Sequence, residues 1–158
     1  MIMEKHAPDT EEYEEELLSA LVCEDHAEFK GAISAALEGL KFGLEFAAGP
    51  EDAFEKLKFN QYGIIVLNER FGGSTPENNA VYKFLQFMPM AARRRIFLAL
   101  IGKDFKTGDN MTAFAKSSNI TVNEKDLPNL KAILKKAVAD NDQFYKVFRE
   151  SLVKMGQK

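Results

Sequence analysis

Five short apolar runs, each followed by residues at helical spacing or by a turn into the next run, leave this chain few folds to choose from. The runs are Ser19–Cys23 (SALVC), Leu44–Phe46 (LEF), Ile64–Leu67 (IIVL), Ile96–Ile101 (IFLALI) and Ile120–Val122 (ITV). Ser19–Cys23, Ile64–Leu67 and Ile96–Ile101 suit strands buried on both faces, while Leu44–Phe46 alternates as a second short strand does and Ile120–Val122 is a weak strand. Between them the apolar period changes from two to about 3.6. Phe29, Ile33, Ala36, Leu37 and Leu40 share one helical face; Ala53, Phe54 and Leu57 share another; Val81, Phe84, Leu85 and Met88 form a third. Met111, Phe114 and Ala115 lie on one side of a short fourth helix, and Leu130, Ile133, Leu134, Ala137 and Val138 make the stripe of a fifth. Strands alternating with helices across short connections predict a doubly wound α/β fold, a five-stranded parallel sheet covered by helices in three layers.

Local punctuation agrees with these bounds. Asp25, with Glu28 three places on, is the expected N-cap of the first helix. Pro50 after Gly49 suits a first turn, Asp109 can cap the fourth helix, and Pro128 is expected to start the fifth. Ile64–Leu67 is the most apolar β-branched run, which makes it the expected central strand.

The 158 residues suffice for one compact domain and are too few for two of ordinary size. No apolar run approaches the roughly 18 residues that span a bilayer, and the N-terminal stretch lacks the apolar core of a signal peptide, so a cytoplasmic protein without membrane contact is expected. Residues 1–17 carry seven acids against Lys5 alone, a charge of −6, and since the whole chain is −3 the remainder is +3. Such a block reads as a solvated acidic tail. A sharper expectation is that it lies against the basic run Arg93-Arg94-Arg95 and competes with an acidic partner. Residues 140–158 follow the fifth helix with Phe144, Tyr145, Phe148 and Leu152 about one turn apart, which predicts an extra C-terminal helix that packs on its own domain or docks on another copy or a partner.

In doubly wound sheets the functional crevice lies beyond the carboxyl ends of the strands. The residues placed there are Glu24, Asp25, Asn68 to Arg70, Ile101 to Asp104 and Asn123 to Lys125. Other motifs read blandly. Cys23 and His26 are spaced like half a zinc site, but a core cysteine and a first-turn histidine explain them. Gly72-Gly73-Ser74-Thr75-Pro76 lacks the lysine and spacing of a phosphate-binding loop. Three arginines in an otherwise acidic protein do not make a nucleic-acid surface, and none is expected.

Residues 18–139, with Leu21-Val22-Cys23-Glu24-Asp25 ending the first strand in two acids and Tyr62-Gly63-Ile64-Ile65-Val66-Leu67-Asn68 ending the third, resemble the receiver domain of bacterial response regulators, a flavodoxin-like fold shared with the chemotaxis regulators. The phrases Phe59-Asn60-Gln61-Tyr62 and Phe144-Tyr145-Lys146-Val147-Phe148-Arg149-Glu150 also look like a bacterial group of receiver-like domains. In receivers the acid pair and the strand-three aspartate bind magnesium, the aspartate takes up a phosphoryl group, a hydroxyl after strand four senses it and a lysine after strand five pairs with it. Glu24 and Asp25 fall on the acid pair, and magnesium is the one cofactor they suggest. Asn68 falls on the nucleophile, where a carboxamide offers no anionic oxygen. Ile101 falls on the switching hydroxyl. Lys125 is the preferred match to the lysine, with Glu124 in a stricter register. A hydrogen bond from the Asn68 amide to one of the acids is expected to close the crevice without metal.

The resemblance thus implies a degenerate, phosphorylation-independent pseudo-receiver, not an enzyme, acting in bacterial signal transduction by binding proteins or itself. The helix-four and helix-five face, Thr107 to Phe114 and Asn129 to Val138, and the C-terminal helix are the expected surfaces. Two other readings are a divergent receiver still phosphorylated or magnesium-binding through Asp25 or Glu69, and a small flavodoxin-like ligand binder.

Overall fold

A computed structural model describes residues 18–141. The acidic segment 1–17 and nearly all of the expected C-terminal extension, from residue 142 on, lie outside the described residues. Five parallel strands, β1 (Ser19–Cys23), β2 (Gly43–Phe46), β3 (Ile64–Asn68), β4 (Phe97–Gly102) and β5 (Ile120–Asn123), form one sheet in the order β2-β1-β3-β4-β5. Helices α1 (Ala27–Gly39), α2 (Pro50–Phe59), α3 (Ala80–Gln86), α4 (Asn110–Ala115) and α5 (residues 130–141) connect or follow them, with a single helical turn at Met90–Arg93. The doubly wound flavodoxin-like sheet expected from the sequence is the observed one.

The alternation of side chains along each strand divides the core in two. Ala20, Val22, Ile64, Val66, Phe97, Ala99 and Ile101 face α1 and α5, meeting Ile33, Leu37, Leu130 and Leu134. Leu21, Cys23, Ile65, Leu67, Leu98 and Leu100 face α2 and α3, meeting Ala53, Val81 and Leu85. Both faces of β3 are covered and all five of its residues are buried, as the central position requires. The β2 edge is largely exposed; Tyr62 donates a 2.6 Å hydrogen bond to Glu45 on it.

Three local expectations change. Asp25 does not cap α1: the N-cap is His26, without a side-chain cap, and its N–H is taken by Glu24 Oε2 at 3.1 Å. Asp25 points away to the β3 loop, where it accepts from the Gly72 N–H at 2.8 Å. Pro128 does not open α5 but sits inside a 3₁₀ turn, Glu124–Asn129, that precedes it. In α4 the inward residue is Ala113, while Met111 and Phe114 are 79% and 84% exposed.

Candidate functional site

The sheet order reverses between β1 and β3. β1 leads to β2 on one side and, after α2, to β3 on the other, so the chain leaves a crevice at their carboxyl ends. Pleating then decides which side chains enter it. Glu24 continues the face of Val22, Asn68 that of Val66, and Glu124 that of Val122, all on the α1–α5 side. Ile101 pairs in register with Asn68 on the same face and is fully buried.

The Asn68 carboxamide is the hub. Its Nδ2 donates to Glu24 Oε1 at 2.8 Å and to Glu124 Oε2 at 3.5 Å, and its Oδ1 accepts from the Arg70 N–H at 2.9 Å. This fixes the amide's orientation, because a flip would turn its carbonyl oxygen toward two carboxylates and its NH₂ toward a backbone N–H. Glu24 is 3% exposed and Asn68 5%, so both are buried polar groups that need partners and have them. The expected hydrogen bond between the amide and an acid is present.

Lys125 does not reach this cluster. Asn123 ends β5 with its side chain accepting from the Lys125 N–H at 2.9 Å, a tight turn that leaves residue 124 on the crevice face and residue 125 exposed. The residue facing the amide is therefore Glu124, as the stricter register has it. The same Asn123 donates to the carbonyls of Lys103 and Phe105 and so ties down the loop after β4.

Glu69 and Asn79 complete the frame of the β3 loop. Asn79, 1% exposed, donates to the carbonyls of Asn68 and Glu69 at 3.1 and 3.0 Å and caps α3 by accepting from the Tyr82 N–H. Its place just before an apolar helical stripe is a capping signature that sequence reasoning passed over. The Glu69 carboxylate lies directly over Gly102, where any β-carbon would collide with it. Burial pushes the Glu69 carboxyl above its ordinary range, with Lys116 and Arg70 pulling the other way. Cys23 is also buried, and burial beside Asp25 and Asp52 pushes its thiol up to about 12, the setting of a core cysteine. His26 stacks on Phe29, ring centroids 4.3 Å apart, and makes no site with Cys23.

Each Glu24 oxygen already accepts a hydrogen bond, one Asp25 oxygen is held by Gly72, and the Asn68 oxygen is turned to Arg70. Among the described residues no group of three or more acids, histidines or cysteines is arranged to hold a metal ion.

Neither a known family model nor a curated protein matches the chain. Solved structures do. A signal receiver domain of a DNA-binding response regulator from Colwellia psychrerythraea is similar at 19% identity and TM-score 0.59, covering 77% of this chain and 98% of its own. This is the fold of the response-regulator receiver domain. The receiver fold recurs in an orphan response regulator of H. pylori (12% identity, TM-score 0.56, 76% and 95% covered). It recurs again in a CheY-like receiver domain from Methylobacillus flagellatus (19%, 0.55, 75% and 97%). Glu24, Asp25 and Asn68 stand at the carboxyl mouths of β1 and β3. No described helix is long and apolar enough to cross a membrane.

Proposed function

We propose that residues 18–139 act as a phosphorylation-independent pseudo-receiver, a non-enzymatic module that binds proteins in bacterial signal transduction. The observation that carries this reading is the Asn68 amide standing between the carboxylates of Glu24 and Glu124. A carboxamide nitrogen with both hydrogens engaged cannot attack phosphorus, and its NH₂ substitutes for the cation that would otherwise hold several acids together. Ile101 adds to this, because the side chain paired in register with Asn68 carries no hydroxyl to report a phosphoryl group. Asp25 and Glu69 are poor substitutes as acceptors: one is tied to Gly72 and the other is packed over Gly102. The α4–α5 side is the surface we assign to protein partners, with Met111 and Phe114 exposed on it.

Acetyl phosphate or beryllofluoride with magnesium tests the proposal. Intact-mass spectrometry is expected to find no phosphoryl adduct, and amide NMR spectra no magnesium-dependent shift around Glu24, Asn68 and Glu124. A covalent adduct, or saturable magnesium shifts at those residues, overturns it.

A further inference from the structure

Among the described residues no hydrogen-bond donor and no direct ion pair reaches the Glu69 carboxylate, although Glu69 is only 9% exposed. A carboxylate held largely out of water without a partner is costly, so its surroundings bear on what completes it. It lines a cleft between the β3 loop, α3 and the end of α4, whose other walls are Pro76, Asn79, Tyr82, Leu100 and Lys116. The polar groups of those walls are committed elsewhere. The Asn79 amide nitrogen donates to the carbonyls of Asn68 and Glu69, and its oxygen accepts from the Tyr82 N–H. The Tyr82 hydroxyl donates to the Lys116 carbonyl at 2.7 Å and accepts from the Gln86 amide at 2.9 Å. Lys116 is the exception: its half-buried side chain acts on Glu69 through space without a direct ion pair. Glu77 and Asp104 add negative charge around the carboxylate, and Arg70 adds positive.

The cleft thus offers a free anionic acceptor between apolar and aromatic walls, and what completes it must bring its own donors. Size narrows the choice. About 10 Å³ is open to the centre of a water-sized group, room for one such group on the side that faces solvent. A primary ammonium is of that size and brings three N–H donors with a positive charge, whereas a guanidinium is a planar fork too broad for the space. A metal ion that takes oxygen ligands needs several of them and would find one carboxylate.

We propose that this cleft is a site for one primary ammonium group, held by the Glu69 carboxylate beside Tyr82 and Leu100. The group comes from a small free amine or from Lys116 turning inward, and the two sources are separable by experiment. The site is distinct from the Asn68 crevice and stands whether or not that crevice takes a phosphoryl group.

The test titrates methylammonium chloride into the full chain at constant ionic strength, with potassium and tetramethylammonium chlorides as controls. Amide NMR and the carboxyl carbon signal of Glu69 are the readouts. Two heavy atoms limit the affinity to about 5–10 mM at best, so a titration to about 100 mM approaches saturation. With a free amine as the occupant, the Glu69 carboxyl and the amides of Asn79, Tyr82 and Leu100 shift saturably in the parent chain with methylammonium and not with the controls. With Lys116 as the occupant, the parent is silent and Lys116→Met shows those same shifts. In either case Glu69→Gln abolishes them while keeping a well-dispersed spectrum. Absence of a saturable shift in both the parent and Lys116→Met overturns the proposal, leaving water alone in the cleft. So do equal shifts with potassium or tetramethylammonium, or shifts that survive Glu69→Gln.

Discussion

Replacing Asn68 by aspartate keeps the size of the side chain and removes the donor that two acids share, so it isolates what the amide does. In the parent, Nδ2 lies 2.8 Å from a Glu24 oxygen that is almost wholly buried. Two like charges at that distance repel by about 6 kcal/mol at an effective dielectric near 20. Proton uptake and small shifts relieve much of this, and a loss of about 2–4 kcal/mol at pH 7 remains. For a domain of this size that lowers Tm by roughly 4–16 °C. The pH dependence has a definite sign. Crowded carboxyls in the folded variant hold a proton that the unfolded chain releases above about pH 4, so the folded state binds more protons and loses stability as pH rises. The deficit against the parent is therefore small near pH 4 and largest near pH 8. Exchanging the roles, Glu24→Gln with Asn68→Asp, restores an amide donor between the residues, leaves an oxygen for the His26 N–H, and recovers most of the loss. Chemical denaturation of the three proteins at pH 4.5, 7 and 8 in metal-free buffer measures all of this. An Asn68→Asp chain as stable as the parent at pH 7, or a double variant no better than Asn68→Asp alone, would refute the reasoning.

Asn79→Ala removes a helix cap and leaves two buried carbonyls at the end of β3 without their donor; a drop of about 2–4 kcal/mol, seen as a lower urea midpoint at unchanged slope, is the expected outcome. Glu69→Gln is expected to stabilise on the order of 1 kcal/mol at pH 7, because a desolvated carboxylate is exchanged for a neutral amide. Since the Glu69 carboxyl is raised in the folded state, the parent's own stability falls as pH climbs past the ordinary carboxyl range, and the advantage of Gln should vanish below about pH 4 in a denaturation series. Cys23, with its thiol held near 12, should react with iodoacetamide at pH 8 roughly a thousandfold more slowly than a free cysteine, and at the ordinary rate in denaturant, as mass spectrometry over time will show.

The division between sequence and structure follows the range of the forces involved. Short apolar runs and helical stripes are local patterns, which is why the fold and the central place of Ile64–Leu67 were legible in the chain. The meeting of Asn68 with an acid followed from the resemblance of the two strand ends to those of receivers, not from any local pattern. Capping at Asn79 was legible too, in an Asn just before an apolar helix, and was overlooked. Partner choice between side chains of equal chemical claim was not legible. Asp25 and Glu24 can both cap a helix, and only the packing of the β3 loop gives Gly72 to one and His26 to the other. Lys125 and Glu124 compete for one position, and the turn made by Asn123 awards it to the glutamate. Those outcomes depend on where a loop distant in sequence presents a backbone N–H or a side-chain donor, which no local pattern encodes and the assembled sheet decides.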